Sequence, residues 1–159
     1  MDSNTPTNNS QSIEERLRIL EDREEIRQLL IDYGRLLDQR DFPAFARLFI
    51  DGSEYISAGT AHAIKGPAAI AGFVEEVFRN NPSGVRFPNF HLFANETIRV
   101  KGDEATAASQ GFFVVPTEAD TPEFVMMATY NDVLVRDNGR WKFKRRVVRM
   151  EIPAPAPLK

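Results

Sequence analysis

Phe87-Pro-Asn-Phe-His91-Leu-Phe-Ala-Asn95-Glu-Thr-Ile-Arg-Val100 is the stretch at which the chain changes its grammar. Upstream of it apolar residues recur at intervals of three and four, and downstream they alternate, so helices give way to strands. Within the stretch His91, Phe93 and Asn95 share one strand phase, whereas Ile98 and Val100 occupy the other. A β-bulge near Asn95 reconciles the two sets by turning both to one face, and bulges bend sheets. The stretch therefore predicts a long, strongly curved strand over about 87–100. Three more strands follow, over about 105–116, 124–136 and 140–152, joined by Lys-Gly-Asp-Glu, Glu-Ala-Asp-Thr-Pro and Asp-Asn-Gly-Arg. These connections are rich in turn formers, which makes the run an antiparallel meander.

Working back toward the start, Ser12-Ile-Glu-Glu15 is a capping box that opens a first helix. Its positions Ile26, Leu29, Leu30, Tyr33, Leu36 and Leu37 form one apolar stripe that ends around Asp38 to Arg40. Asp22-Arg-Glu-Glu25 repeats the cap signal and predicts a kink or restart near 22. Asp41-Phe-Pro-Ala begins a short second helix over 42–49, with proline tolerated in the first turn. Residues 54–57 and 61–64, around Ala58-Gly59-Thr60, read as a short hairpin. Gly66-Pro67 opens a third helix with Ile70, Phe73, Val74, Val77 and Phe78 on its buried face, and a loop over 80–84 follows. The polar run 1–11 reads as a disordered tail, 12–152 as one domain and 153–159 as a Pro/Ala-rich tail. Helices first and a meander afterwards predict an α+β domain, a curved antiparallel sheet wrapped over about three helices. Such a sheet makes a cone with an open mouth.

The 159 residues include 20 Lys plus Arg against 23 Asp plus Glu, a formal charge of −3 that offers a polyanion no broad attraction. Nucleic acid is not an expected partner. Cysteine is absent, which excludes disulfides, thiolate metal sites and a thiol nucleophile. No signal-like start and no run of about 18 apolar residues occurs, so the expected location is cytoplasmic, with no membrane contact. There are 12 Phe beside 3 Tyr and 1 Trp, enough rings either to fill a core or to line a cavity for a flat apolar ligand.

Asp38 falls in the last turn of the first helix, where the macrodipole disfavours a carboxylate, so a donor or cation is expected beside it. It stands near Gly34, which leaves room for a partner. His91 lies among aromatic residues, where desolvation holds an imidazole neutral, as a general base requires. Asp38 is a candidate to fix its tautomer. Tyr33 lies within the apolar stripe and needs a partner for its hydroxyl. Tyr55, Phe93 and Asn95 are candidate binding residues. Among the late cations, strand phase places Lys142, Lys144 and Arg146 on a solvated face and points Arg145 and Arg149 inward with Trp141, Phe143 and Val147. A metal site from His62, His91 and Asp38 or Glu54 has no supporting ligand spacing, so no metal and no cofactor is expected. Phe112 or Phe113, being adjacent, must present a ring on the outer face and predicts self-association there.

Ile26-Arg-Gln-Leu-Leu-Ile-Asp-Tyr-Gly-Arg-Leu-Leu-Asp38, Lys65-Gly-Pro67, His91-x-x-x-Asn95 and Asp-Asn-Gly-Arg-Trp-Lys-Phe143 together resemble the SnoaL-like branch of the NTF2-like superfamily, from about Glu14 to Glu151. The pattern is most similar to cofactor-independent lyases: scytalone dehydratase, the bile-acid 7α-dehydratase and the hexachlorocyclohexane dehydrochlorinase. The resemblance implies a cone of curved sheet with three helices and a histidine base paired with a helix-end aspartate, carried here by His91 and Asp38. It also implies catalytic roles for Tyr33 and for a late arginine on or beside Arg149. A second, downstream histidine found in scytalone dehydratase has no counterpart after His91. The implied function is dehydratase-like elimination or isomerisation of a small, mostly apolar cyclic substrate by a homo-oligomer, a trimer rather than a dimer. The superfamily also contains non-catalytic ligand-binding and scaffold subunits, and fold alone does not separate these from enzymes.

Overall fold

A computed structural model describes residues 11–57, 60, 62–80 and 86–153. Helix α1 spans Ile13–Gln39, with Ser12 as its N-cap accepting from the Glu15 N–H at 3.1 Å. It runs through position 22 without the expected restart. The Asp22 side chain does not cap there; it accepts from the Arg136 guanidinium and from Trp141 Nε1, which ties the helix to the sheet. Arg40 closes α1 in the left-handed conformation. Helix α2 covers Phe42–Ala46 under the Asp41 cap and is shorter than expected, because Phe49 leaves the helical pattern to pair with Phe143. Strand β1 spans Phe49–Ile56, β2 Ile64–Lys65 and helix α3 Pro67–Asn80. Strands β3 Phe90–Lys101, β4 Glu104–Pro116, β5 Pro122–Asp137 and β6 Arg140–Ile152 complete the chain. Most of both expected tails, most of the hairpin turn and most of the loop after α3 lie outside the described residues.

The six strands form one curved sheet in the order β2-β1-β6-β5-β4-β3. The meander runs from β3 to β6 as expected, but β1 joins it parallel to β6, a long-range pairing that local pattern does not announce. The expected bulge is present: the β3–β4 register shifts between Ala94 and Thr97, and Asn95 has φ 55°. His91 and Phe93 on one side of it and Ile98 and Val100 on the other consequently share the concave face. A second bulge falls in β6, where Leu134 pairs with Phe143 but Val133 pairs with Arg145. Lys144 is thereby skipped and the strand phase reverses. Trp141 and Phe143 point inward, and so does Arg146, which is fully buried. The placement expected from unbroken alternation is corrected: Arg146 belongs to the interior, while the Arg145 and Arg149 side chains are 49% and 75% exposed.

Helix α1 lies across the concave face of the sheet and comes close to β3 at Gly34. A Cβ there would stand 2.9 Å from both His91 Cβ and the Phe93 ring. The core below comprises Ile26, Leu30, Tyr33, Phe45, Leu134 and Phe143 among others. Phe113 faces inward and is buried, so Phe112 carries the outward ring of that pair. Among the described residues no helix is long and apolar enough to cross a membrane.

Candidate active site

The last turn of α1 and the start of β3 meet at Asp38 and His91. Asp38 Oδ1 lies 2.6 Å from His91 Nδ1, and Oδ2 accepts the His91 backbone N–H at 2.9 Å. Asn89 Nδ2 donates to Oδ1 at 2.7 Å. Three donors thus replace the solvent that a helix-end carboxylate would otherwise require, and they meet the expectation of compensation beside Asp38. Because an ionised carboxylate only accepts, Nδ1 carries the imidazole proton and Nε2 carries the lone pair. The His91 ring packs 4.5 Å from Phe113 and 6.3 Å from Phe78, and its side chain is 13% exposed. The imidazole is therefore held by protein on one nitrogen and sits at the rim of the cone.

Behind the rim the concave face carries rows of directly opposed residues. His91 pairs with Phe113 and Met126, Phe93 with Gly111 and Ala128, and Ile98 with Ala107, Asp132, Arg146 and Tyr55. Tyr33 enters from α1, and its hydroxyl lies 3.0 Å from that of Tyr55. Burial raises the pKa of Tyr33, Tyr55 and Tyr130, so all three are phenols rather than phenolates at neutral pH. Gly111 admits the Tyr130 ring, since a Cβ there would come 2.5 Å from Tyr130 Cε2.

The Arg146 guanidinium is sandwiched by rings, 3.8 Å from the centroid of Tyr33, 4.5 Å from those of Tyr130 and Phe143, and 5.5 Å from that of Phe93. Its Nε stands 3.5 Å from Asp132 Oδ1, close enough for an ion pair, but the geometry makes no hydrogen bond. Among the described residues its nitrogens, both Asp132 oxygens and the Ser53 and Ser109 hydroxyls have no hydrogen-bond partner. Burial pushes the Asp132 carboxyl up to about 6 from 3.8, against the opposing pull of Arg146. Aromatic rings and one guanidinium fill the closed end of the cone. A groove of about 710 Å³ lies elsewhere, between α1, α2 and the start of β6.

The structure thus brings together Asp38 and His91 and places Phe93, Tyr33 and Tyr55 behind them. Two expected residues are not brought in. Asn95 is exposed on the outer side and donates to Gln110 at 2.6 Å, because its left-handed backbone is the bulge itself. Arg149 faces solvent, and Arg146 takes the inward position. Sequence reasoning missed Asn89, although it shares a strand phase with His91 and Phe93, and it missed Arg40, whose Nη2 donates to Asn89 Oδ1 at 2.6 Å. Asp132 carried no local signal, since its partner is set by register. Among the described residues no group of three or more His, Asp and Glu side chains is placed to hold a metal ion.

Residues 18–147 match the SnoaL-like domain family. The protein Rv2910c of Mycobacterium tuberculosis is 31% identical over 131 residues, covering 80% of this chain and 84% of that one. Among solved structures, an NTF2-like protein with a cystatin-like fold from Novosphingobium aromaticivorans is 30% identical with a TM-score of 0.76, over 94% of this chain and 92% of that one. A candidate scytalone dehydratase from the same organism shares the fold at 24% identity and a TM-score of 0.68, over 84% and 86% of the two chains. With the matched domain spanning α1 to β6 and the curved sheet closed by helices, this protein is a member of the SnoaL-like domain family with an NTF2-like fold.

Proposed function

We propose that this protein is a cofactor-independent lyase of the dehydratase type, or a related isomerase, in which His91 abstracts a proton from carbon. The observation that carries the reading is the Asp38–His91 contact at 2.6 Å, which directs the Nε2 lone pair away from Asp38. His91 Nε2 takes the proton, the C–H electron pair becomes the new double bond, and the leaving hydroxyl departs with its own pair. In an elimination the imidazolium then returns the proton to that hydroxyl as water; in an isomerisation no group leaves, the double bond shifts and the proton returns to another carbon, so in either case the enzyme ends unchanged. Asp38 stabilises the imidazolium without itself being protonated. Tyr33, protonated and buried, and Arg146, which takes the inward position first expected of Arg149, are the donor and the positive charge that this reading assigns to a substrate oxygen on which negative charge develops. The aromatic surroundings, Phe78, Phe93 and Phe113, suit a small, mostly apolar cyclic substrate. General-base catalysis of this kind contributes about 10²–10⁴-fold.

The test is turnover of a panel of β-hydroxy carbonyl and halogenated cyclic compounds. His91→Ala is expected to abolish turnover of any compound accepted, and Asp38→Asn to lower kcat by about 10²–10⁴-fold through the wrong tautomer, with both variants folded. Full activity in both would end the lyase reading. The filled floor of the cone favours a second reading, a non-catalytic module that holds a flat hydrophobic ligand at the rim. Unchanged binding of such a ligand by both variants, with no turnover of any compound by the unaltered protein, supports it.

Self-association belongs to the same reading. Leu92, Phe112, Met127 and Ile152 form one register row on the outer face, and Phe90 and Phe124 flank it, with Leu92, Phe90, Phe124 and Ile152 each at least half exposed. A band of this kind seeks an apolar partner, and a homo-oligomer, three chains in preference to two, covers it. A monomeric mass at micromolar concentration in sedimentation equilibrium would refute this.

A further inference from the structure

Asn89 is 2% exposed and stands between two groups of opposite hydrogen-bonding character. On one side is the Arg40 guanidinium, which only donates. On the other is the Asp38 carboxylate, which only accepts. An amide between them has one permitted orientation: Oδ1 toward Arg40 at 2.6 Å and Nδ2 toward Asp38 Oδ1 at 2.7 Å. Arg40 is itself fixed. Its Nη1 donates to the Leu37 carbonyl at 2.6 Å and lies 3.4 Å from that of Asp38, and its guanidinium stacks 3.8 Å above Phe78, the same ring that packs beside His91. The left-handed backbone of Arg40 at the end of α1 turns the side chain back over these carbonyls.

We propose that Arg40 and Asn89 are positioning residues that hold Asp38 in register with His91 and so select the Nδ1–H tautomer of its imidazole. The chain Arg40, Asn89, Asp38, His91 is a run of aligned hydrogen bonds from a cation through an amide to a carboxylate and an imidazole, each polarising the next. Arg40 also places a full positive charge where the helix end and Asp38 would otherwise accumulate negative charge. Without it Asn89 Oδ1 is left buried with no donor, and the amide is no longer clamped from the side away from Asp38. Asp38 would turn away and Nδ1 would lose the partner that keeps it protonated. The inference rests on the lyase reading for its chemical meaning, but its measurement uses no substrate.

The experiment follows the tautomer of His91 in the free, full-length protein. A His62→Gln background leaves one imidazole, and two-bond proton–nitrogen NMR at about pH 8.5, two units above the ordinary histidine range, tells Nδ1–H from Nε2–H directly. The unaltered site is expected to show Nδ1–H. Arg40→Met and Asn89→Leu are expected to shift the tautomer ratio toward Nε2–H by about tenfold, the effect of losing one charge-assisted hydrogen bond. Arg40→Lys, which keeps a donor and a charge, restores most of the ratio. An unchanged ratio in Arg40→Met, or a loss in Arg40→Lys as large as in Arg40→Met while circular dichroism remains native, would overturn the proposal. Failure of the lyase reading would show as absent turnover with these NMR shifts intact, so the two are separable.

Discussion

Two aspartates on the concave side of the cone, Asp38 and Asp132, are treated in opposite ways. At the rim Asp38 receives three hydrogen bonds and remains partly exposed. At the floor Asp132 receives none among the described residues, faces Arg146 at 3.5 Å and is 3% exposed. The rim carboxylate is a satisfied acceptor whose geometry is determined by its donors. The floor carboxylate is a desolvated charge steadied by one guanidinium, which ring faces in turn surround. Hydrogen bonding arranges the first for chemistry. Packing confines the second, so its ionisation and its partner matter more to folding than to direction.

The same kind of substitution should therefore have different consequences at the two sites. Asp132→Leu leaves the Arg146 guanidinium buried without a counter-charge and is expected to cost about 3–5 kcal/mol in urea unfolding. The double variant Asp132→Leu/Arg146→Met removes the whole pair and should recover most of that loss. A double variant as unstable as the single one would show that the pair is not a coupled unit. Asp38→Asn, by contrast, keeps one acceptor and should cost only about 1 kcal/mol while impairing turnover.

Two glycines sharpen the contrast at intermediate size. Gly111→Ala drives a Cβ into the Tyr130 ring, and Gly34→Ala drives one into His91 and Phe93; each should cost about 1–3 kcal/mol by thermal or urea unfolding. Only Gly34→Ala should also alter the His91 tautomer, because it pushes α1 away from β3. Equal NMR effects from both would erase the distinction between rim and floor.

The last contrast lies in pH dependence. Asp132 has a folded pKa of about 6 against 3.8 unfolded, so the native state binds its proton more tightly. Stability from this group is fully present below the unfolded value and is lost as pH rises through about 6. Wild type should accordingly gain stability relative to Asp132→Asn as pH falls from about 6 to about 4, the reverse of an ordinary salt-bridged carboxylate. A difference that is constant with pH, or that grows with pH, would show that Asp132 is not desolvated as described.

What was legible in the chain was what local periodicity can encode. The apolar stripe of α1, the capping box at Ser12 and the bulge near Asn95 follow from residues within one element, whereas Asp38 and His91 stood out singly as conspicuous polar positions and were assigned to each other by the family resemblance. Two kinds of fact were not legible. One is the bulge in β6: Lys142 to Arg146 hold four cations around one Phe, and no residue among them marks which position the ladder skips. Reading the strand as unbroken turned Arg146 outward and Arg149 inward. The other is register between distant strands, which alone sets Asp132 beside Arg146 and β1 beside β6. Beside these two, the position of Arg40 follows from how a helix ends rather than from how it repeats, so the stripe of α1 does not announce it.

The parallel seam between β1 and β6 has a kinetic consequence. Strand β1 is separated from its partner β6 by β2, α3 and β3 to β5, so the contact order at this seam is high. A nascent chain that has made everything through β5 still has unpaired edges on β1 and β5. Asp132 faces water at that stage, and the aromatic cage has nothing to enclose. Completion of β6 closes both edges and delivers Arg146 in one step, which makes sheet closure the expected late event in folding. Until then the incomplete sheet offers the open strand edges on which chains of this kind associate wrongly.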